Sequence, residues 1–243
     1  MENTETLAEW IRNADAVCVL TGAGISAESG VPTFRDAQEG LWARYEPQEL
    51  ASPEAFARQP ETVWQWYRWR RKLIREAEPN PGHRALAELA RRHPGLSLVT
   101  QNVDGLHQAA GHPDVIEFHG NIHRNVCHRE RKPVEVDDTG DSPPPCPDCH
   151  APVRPDVVWF GEAIPREALE RAMAAARACE LFLSVGTSAT VHPAAGLADV
   201  ARGAGARVVE INPDATPLSD AVDLGIRAPA GEALPEVIHH LDP

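Results

Sequence analysis

Residues 16–35, AVCVLTGAGISAESGVPTFR, join a short apolar run to a loop of small residues. The run AVCVL has no polar interruption, which is typical of a strand buried on both faces of a parallel sheet. Gly22, Gly24 and Ala27 then follow the spacing G-x-G-x-x-G/A, in which small residues let backbone amides approach a pyrophosphate. The stretch therefore predicts the strand, turn and helix start of a dinucleotide-binding α/β fold.

Four further apolar runs have the same character, and helical patterns separate most of them. They are LSLVT (96–100), VIEF (115–118), LFLSVG (181–186) and RVVEIN (207–212). Strands that alternate with helices indicate an α/β fold with a doubly wound, Rossmann-like parallel sheet.

Two segments interrupt this alternation. Residues 37–83 are helical in pattern and rich in tryptophan, and residues 123–154 contain three of the five cysteines in a proline-rich context. We expect a Rossmann-like domain formed by residues 1–36, 84–122 and 155–243. The two insertions would form a smaller helical and zinc-ribbon-like module beside it.

Composition limits the functional classes. The chain has 243 residues and a formal net charge of −13, which argues against broad binding to nucleic acid or to anionic lipid. There is no apolar run long enough to span a membrane and no signal-like N-terminus. The five cysteines show no disulfide framework, so a cytoplasmic location is expected.

Polar residues follow several predicted strands. Gln101, Asn102 and Asp104 come after LSLVT, and His119 follows VIEF. An Asx-type turn is the ordinary explanation for the first group, and a structural role is the ordinary one for a single histidine. Ligands in open α/β sheets bind at the carboxyl ends of strands, however, so we expect these groups to converge with His119 as a general base. The acidic residue that binds ribose in ordinary dehydrogenases is missing, which disfavours that class.

The order of the motifs resembles that of the sirtuin family from Ala16 to Ile238. The matching motifs are GAGIS (22–26), ESGVPTFR (28–35), TQNVDGLH (100–107), FHG (118–120), VVWFGE (157–162), GTS (186–188) and IN (211–212). The resemblance implies an NAD-dependent protein lysine deacylase that releases nicotinamide and O-acyl-ADP-ribose. Its partners would be acyl-lysine proteins.

The resemblance also implies roles for individual residues. The NAD contacts would be Gly22, Ala23, Gly24, Ala27, Glu28, Thr33, Phe34, Arg35, Gln101, Asn102, Val103, Asp104, Gly186, Thr187, Ser188, Asn212 and Ala230. His119 would be the catalytic base, assisted by Asn102 and Asp104. A substrate peptide would add a strand along Val158, Phe160, Gly161 and Glu162.

Sirtuins of this type usually hold a structural zinc ion with two C-x-x-C pairs. Cys146 and Cys149 form the second pair, whereas Cys127 is followed three residues later by Glu130. Structural zinc requires four ligands, so Glu130, His128 or His150 would have to complete the site, or the metal has been lost. Both outcomes stay open at the level of sequence.

The segment TVWQWYRWRRKL (62–73) concentrates aromatic and cationic residues in an acidic protein. An amphipathic helix with buried tryptophans is the default interpretation, and a nucleic-acid platform conflicts with the net charge. Tyr67 and Arg70 resemble the Tyr-x-x-Arg of sirtuins that prefer negatively charged acyl groups. Their three-residue spacing places them on one helix face, where they would bind a succinyl or malonyl carboxylate.

Three other functions remain open from the sequence. The same NAD site would serve a plain deacetylase or an ADP-ribosyltransferase. A non-catalytic interaction module with a degenerate nucleotide pocket is the third, and the presence of His119, Asn102 and Asp104 disfavours it.

Overall fold

The structure is a computed structural model that describes residues 2–31 and 46–242. Its strands are β1 (Val17–Thr21), β2 (Leu96–Thr100), β3 (Val115–Glu117), β4 (Gly120–Cys127), β5 (Val153–Val157), β6 (Leu181–Val185), β7 (Arg207–Ile211) and β8 (Leu224–Ile226). Six of them form one parallel sheet in the order β3-β2-β1-β6-β7-β8, and β4 pairs with β5 in an antiparallel ribbon. The prediction of a doubly wound parallel sheet is confirmed.

Ten α-helices are described. They are α1 (Glu2–Asn13), α2 (Gly24–Ala27), α3 (Pro47–Leu50), α4 (Pro53–Arg58), α5 (Pro60–Arg75), α6 (Pro81–Arg92), α7 (Leu106–Ala109), α8 (Arg166–Ala178), α9 (Gly196–Gly203) and α10 (Ala230–Leu241). Among the helices of the described ranges, none combines the length and the apolarity that crossing a bilayer requires.

Helices cover both faces of the sheet. Val17 and Val19 of β1 pack with α1, α6 and α10 on one face, in a cluster that includes Leu86 and Leu234. The alternate residue Cys18 packs with α8 and α9 on the other face. Because both faces of β1 are buried, its sequence needs no polar alternation.

A smaller group of elements lies beside the sheet. Phe56 of α4 and Tyr67 of α5 share a cluster with Ile122 of β4 and Val157 of β5. Trp64 of α5 packs instead among the cysteine-bearing turns. The helical and cysteine-containing segments thus contact each other, although the assignment of domain boundaries stays a prediction.

Parallel register brings the strand ends together. Thr21, the last residue of β1, is level with Thr100 of β2 and with Val185 of β6, and Val185 is level with Ile211 of β7. The residues that follow these strands therefore share one edge of the sheet. The sixth strand, β8, was not predicted, because Gly225 interrupts its apolar residues.

Gly186 is the position where a side chain would disturb this edge most. Its φ is +59°, and a Cβ there would lie 2.5 Å from the Ile25 nitrogen. We predict that Gly186→Ala lowers the free energy of unfolding by about 3 kcal/mol, from left-handed strain and overpacking together. Thermal or urea unfolding would measure it.

Gly111 provides the matched control. Its φ is +84° and a Cβ would meet nothing within 4 Å, so Gly111→Ala should cost only the conformational strain of about 1–2 kcal/mol. Equal losses for the two variants would contradict the close approach at Gly186.

Candidate active site

A cleft of about 690 Å³ opens where β1, β2, β6 and β7 end. Residues that directly follow these four strands line it, among them Gly22, Gln101, Gly186 and Asn212. The convergence expected from the polar strand ends is present.

Most of the residues proposed for the site line this one cleft. They are Gly22, Ala23, Gly24, Tyr67, Arg70, Gln101, Asn102, Val103, Asp104, His119, Val158, Phe160, Gly161, Glu162, Gly186, Thr187, Ser188 and Asn212. Ala27, Glu28 and Ala230 are not among the lining residues; the Glu28 carboxylate instead accepts a hydrogen bond of 2.7 Å from the Gly231 amide. Thr33, Phe34 and Arg35 lie outside the described residues.

Two glycine turns interlock at the floor of the cleft. The Gly24 amide donates to the Gly186 carbonyl at 2.8 Å, and a Cβ on Gly24 would lie 2.8 Å from the Gly186 Cα. A Cβ on Gly22 would be equally close to the Gly186 oxygen, at 2.8 Å. Small residues are therefore needed here for packing of one backbone on another, and they leave a surface on which an extended polar ligand can lie.

A buried polar network joins the first turn to the end of β2. The Ser26 hydroxyl donates to Asp104 at 2.8 Å and accepts from the Asn102 amide at 3.1 Å. The same Asn102 amide donates to the Gly22 carbonyl at 3.0 Å. Asn102 and Asp104 are thus held in place by hydrogen bonds to the first turn, so an Asx-type turn alone does not explain their positions.

His83 is a member of this network that sequence reasoning missed. Its Nδ1 accepts from the Asn80 amide at 3.4 Å, so its Nε2 carries the proton and donates to the Ser26 hydroxyl at 3.4 Å. Burial lowers the pKa of His83 to about 4, which keeps the ring neutral at pH 7. His83 is the third residue of α6 after the capping residue Asn80, and this spacing was the available signal in the sequence. It indicates a helix cap and not a functional site.

His119 has the geometry of a general base. Its Nδ1 lies 3.0 Å from the Gln101 carbonyl, and since a carbonyl can only accept, Nδ1 carries the proton and Nε2 has the free lone pair. Burial lowers the pKa of His119 below its usual 6.5, although the bond to Gln101 opposes this. The imidazole is therefore neutral, and able to accept a proton, at physiological pH.

Tyr67 and Arg70 both project from α5 into the wall of the cleft. Their exposures are 2% and 9%, so both polar groups are withdrawn from bulk water. Burial raises the pKa of Tyr67 to about 12 and lowers that of Arg70 from its ordinary value, while Tyr67 and Asp104 partly offset the effect on the arginine. The Trp159 indole donates to the Tyr67 hydroxyl at 2.8 Å.

The rest of the aromatic and cationic segment has structural roles. Trp64 and Trp66 are buried, as the amphipathic-helix interpretation predicts. Arg71 donates to the Asp138 carboxylate at 2.8 Å and to the Arg124 carbonyl at 3.1 Å, which ties α5 to β4. Arg68 pairs with the exposed Asp141 at 2.6 Å on the outer face of the helix.

Most backbone amides of the segment proposed for peptide binding already donate hydrogen bonds within the protein. The Val158 amide donates to the His119 carbonyl and the Phe160 amide to the Ala51 carbonyl, both at 2.9 Å. The Trp159 and Glu162 amides bond within the segment itself. Strand addition here would have to use the carbonyl groups and the Gly161 amide.

Three cysteines form a cluster beside the ribbon. The sulfurs of Cys127, Cys146 and Cys149 lie within 4.8 Å of one another, and those of Cys127 and Cys149 are 3.4 Å apart. The other two cysteines, Cys18 and Cys179, are buried in the core. Three thiolates suit zinc in kind, since Cys sulfur is its common structural ligand.

The cluster is one ligand short among the described residues. The Glu130 carboxylate pairs instead with Lys132 at 3.0 Å. His128 packs against Phe56 at a ring-centroid distance of 5.0 Å, and His150 is exposed. A zinc ion here would be held by three thiolates, with its fourth position left to solvent or another ligand.

This donor set makes a prediction about metal affinity. Glu130→Cys should complete a four-thiolate set and bind zinc about tenfold or more tightly, because a closed site excludes solvent exchange. Competition with a chromogenic chelator would measure the dissociation constants. Glu130→Gln is the control and should bind zinc as the wild type does. A loss of zinc affinity in that variant would instead show that Glu130 is a ligand.

Sequence comparison identifies close relatives. A model of the Sir2 family matches residues 22–193. A protein of Pseudomonas aeruginosa named NAD-dependent protein deacylase 1 is 47% identical, with 98% of each chain covered. An NAD-dependent protein deacylase of Ralstonia nicotianae is 50% identical over 94% of this chain and 93% of its own.

Solved structures agree with this. A crystal structure of a Sir2 homologue in complex with NAD superposes with a TM-score of 0.91 at 44% identity, covering 98% of this chain and 93% of that one. A mutant Sir2 homologue in complex with 2′-O-acetyl ADP-ribose has a TM-score of 0.90 at 44% identity, covering 98% and 96%. On the motifs, the fold and these relatives together, the chain belongs to the Sir2 family.

Proposed function

We propose that this protein is an NAD-dependent protein lysine deacylase that favours acyl groups ending in a carboxylate, such as succinyl and malonyl. Relatives named as NAD-dependent protein deacylases support the general activity, as do related structures with NAD and acetyl ADP-ribose. The observation that carries the acyl preference is that Tyr67 and Arg70 line the same cleft as His119 and the glycine turns.

The cleft residues suit the binding of NAD. The turns around Gly22 to Gly24 and Gly186 to Ser188 would hold the dinucleotide, with Asn212 beside them. Asn102 and Asp104, restrained by Ser26, would hold the nicotinamide ribose. When bound, NAD supplies the ribose carbon to which the acyl oxygen bonds as nicotinamide leaves.

Proton transfer falls to His119. With its Nδ1 proton committed to the Gln101 carbonyl, Nε2 is the atom that would accept a proton from a ribose hydroxyl. The hydrogen bond also restricts rotation of the ring, so the lone pair keeps one direction. With one water molecule consumed, deacylation would then yield nicotinamide, O-acyl-ADP-ribose and free lysine.

Acyl selection falls to α5. A guanidinium and a phenol hydroxyl both donate hydrogen bonds, and their low exposure makes bonds to a carboxylate stronger than they are in water. One charge-assisted hydrogen bond contributes about 1.5–3 kcal/mol, or roughly ten- to a hundredfold in binding. An acetyl group has no terminal acceptor for these donors, so a site built to bond a carboxylate discriminates against it.

The role of His119 predicts both a pH profile and a mutant effect. Because burial lowers the pKa of His119, the neutral form persists until the pH falls through a value below 6.5, and deacylation should decline only there. His119→Ala should lower kcat by about a hundredfold or more. Peptide deacylation followed by mass spectrometry over a pH series, with circular dichroism as the folding control, tests both. Full turnover by the variant would remove His119 from the mechanism.

The role of Arg70 predicts a change of selectivity. Arg70→Met keeps an unbranched apolar stem and removes the charged guanidinium, so kcat/KM for a succinyl-lysine peptide should fall about ten- to a hundredfold. The loss on the acetyl-lysine peptide should be much smaller.

Arg68→Met is the matched control for this change. Arg68 lies on the same helix but pairs with exposed Asp141 away from the cleft, so both activities should stay at wild-type levels. Equal losses on the two acyl peptides for Arg70→Met would count against the carboxylate site.

The alternative NAD-dependent activities make different demands. A plain deacetylase would show no succinyl preference, and an ADP-ribosyltransferase would consume NAD without an acyl peptide. A non-catalytic module would consume none. Measuring nicotinamide release without peptide, with the acetyl-lysine peptide and with the succinyl-lysine peptide separates all three from the proposed function.

A further inference from the structure

We propose that Trp159 is a positioning residue for acyl-carboxylate recognition, because its indole N–H orients the Tyr67 hydroxyl so that the phenol proton is presented to the cleft. This inference rests on the proposed function and extends it to a residue that does not itself need to touch the acyl carboxylate. Trp159 stands in the motif VVWFGE, whose expected role was only to offer backbone groups to a peptide.

The direction of the hydrogen bond follows from the chemistry of the two groups. The Trp159 Nε1 lies 2.8 Å from the Tyr67 oxygen, and both side chains are 2% exposed. An indole N–H can only donate, so the phenol oxygen must accept. The single phenol proton is therefore directed away from the indole. Tyr67 lines the cleft, so the cleft is where this proton is available to a ligand.

The indole is fixed in its own orientation. The Arg154 guanidinium stacks on the Trp159 ring, 3.2 Å from its centroid. Arg154 is fully buried and bonds both oxygens of Glu162, at 2.6 and 3.0 Å. Glu162 in turn accepts from the Trp159 amide at 2.9 Å, so the backbone and the ring of Trp159 are held by the same ion pair.

A second group packs against the ring. Phe56 lies at a centroid distance of 5.2 Å from Trp159. A ring in contact with both Arg154 and Phe56 has little freedom to turn its N–H away from Tyr67. Burial also raises the pKa of Tyr67 to about 12, so the phenol keeps its proton throughout the physiological range.

The consequence is specific to one class of acyl group. A carboxylate at the end of the acyl chain accepts the oriented phenol proton together with a bond from Arg70. An acetyl methyl group accepts neither, so loss of the indole donor should reduce selectivity for the carboxylate and not only general activity. A purely structural role for Trp159 would reduce both activities alike.

The test is a double-mutant cycle of Trp159→Phe and Tyr67→Phe, with kcat/KM measured on matched succinyl- and acetyl-lysine peptides. Trp159→Phe should lower the succinyl-to-acetyl ratio about five- to tenfold, mainly through a higher KM for the succinyl peptide. In the Tyr67→Phe background, which lacks the hydroxyl, it should change the ratio no further.

A second variant protects the test against loss of packing. Site-specific replacement of Trp159 by benzothienylalanine keeps the bicyclic ring and substitutes sulfur for the N–H donor. It should reproduce the reduced ratio while thermal unfolding stays near that of the wild type.

The outcomes separate this inference from the proposed function. Wild-type enzyme without a succinyl preference would overturn the carboxylate site itself. A wild-type preference that Trp159→Phe and the benzothienyl variant both retain would overturn only the role of Trp159. Additive effects of Trp159→Phe and Tyr67→Phe on the ratio would also overturn it, because the indole would then act independently of the phenol.

Discussion

The close contact between two backbone turns at the carboxyl edge of the sheet is the constraint on which the rest of the site depends. Gly24 and Gly186 are joined by a hydrogen bond of 2.8 Å, and each would clash with a Cβ on the other. This contact sets the distance between the ends of β1 and β6. The Gly22 carbonyl then anchors Asn102, so the polar groups after β2 take their positions from the same turn.

A second set of contacts places the end of the cleft that Tyr67 and Arg70 line. Arg71, buried between α5 and β4, bonds Asp138 and the backbone of Arg124, and the cluster around Tyr67 packs on the ribbon. These contacts fix the rotation of α5, so Tyr67 and Arg70 face the cleft while Arg68 faces outward. Three arginines within one turn of α5 thus have three different roles: Arg68 forms a surface pair, Arg70 lines the cleft and Arg71 ties the helix to β4.

The sequence was informative where local pattern and burial coincide. The uninterrupted run from Val17 to Thr21 predicts a strand covered on both faces, and the structure shows all five of its residues buried. The polar residues after β2 and β3 were identified because parallel strands end at one edge. The three-residue spacing of Tyr67 and Arg70 placed them on one face of α5, although spacing alone could not show that this face is turned inward.

Other features depend on contacts between distant segments. The partnership of Ser26 with His83 spans 57 residues, and that of Tyr67 with Trp159 spans 92, so no local pattern carries either. The sequence shows that Glu130 stands where a second cysteine of the first pair is expected. It does not show which rotamer the side chain adopts, and therefore not that Glu130 pairs with Lys132. β8 was not predicted because Gly225 interrupts its apolar residues, whereas the equally short β3 lies in the apolar run VIEF.

We propose that a buried phenol and guanidinium in a Sir2-family cleft select for an acyl carboxylate. The most direct measurement is kcat/KM of the unmodified protein, with NAD, on one peptide carrying either succinyl-lysine or acetyl-lysine. We expect a preference for the succinyl peptide of about tenfold or more, from one added charge-assisted hydrogen bond. Equal turnover of the two peptides, or a preference for acetyl-lysine, would contradict it.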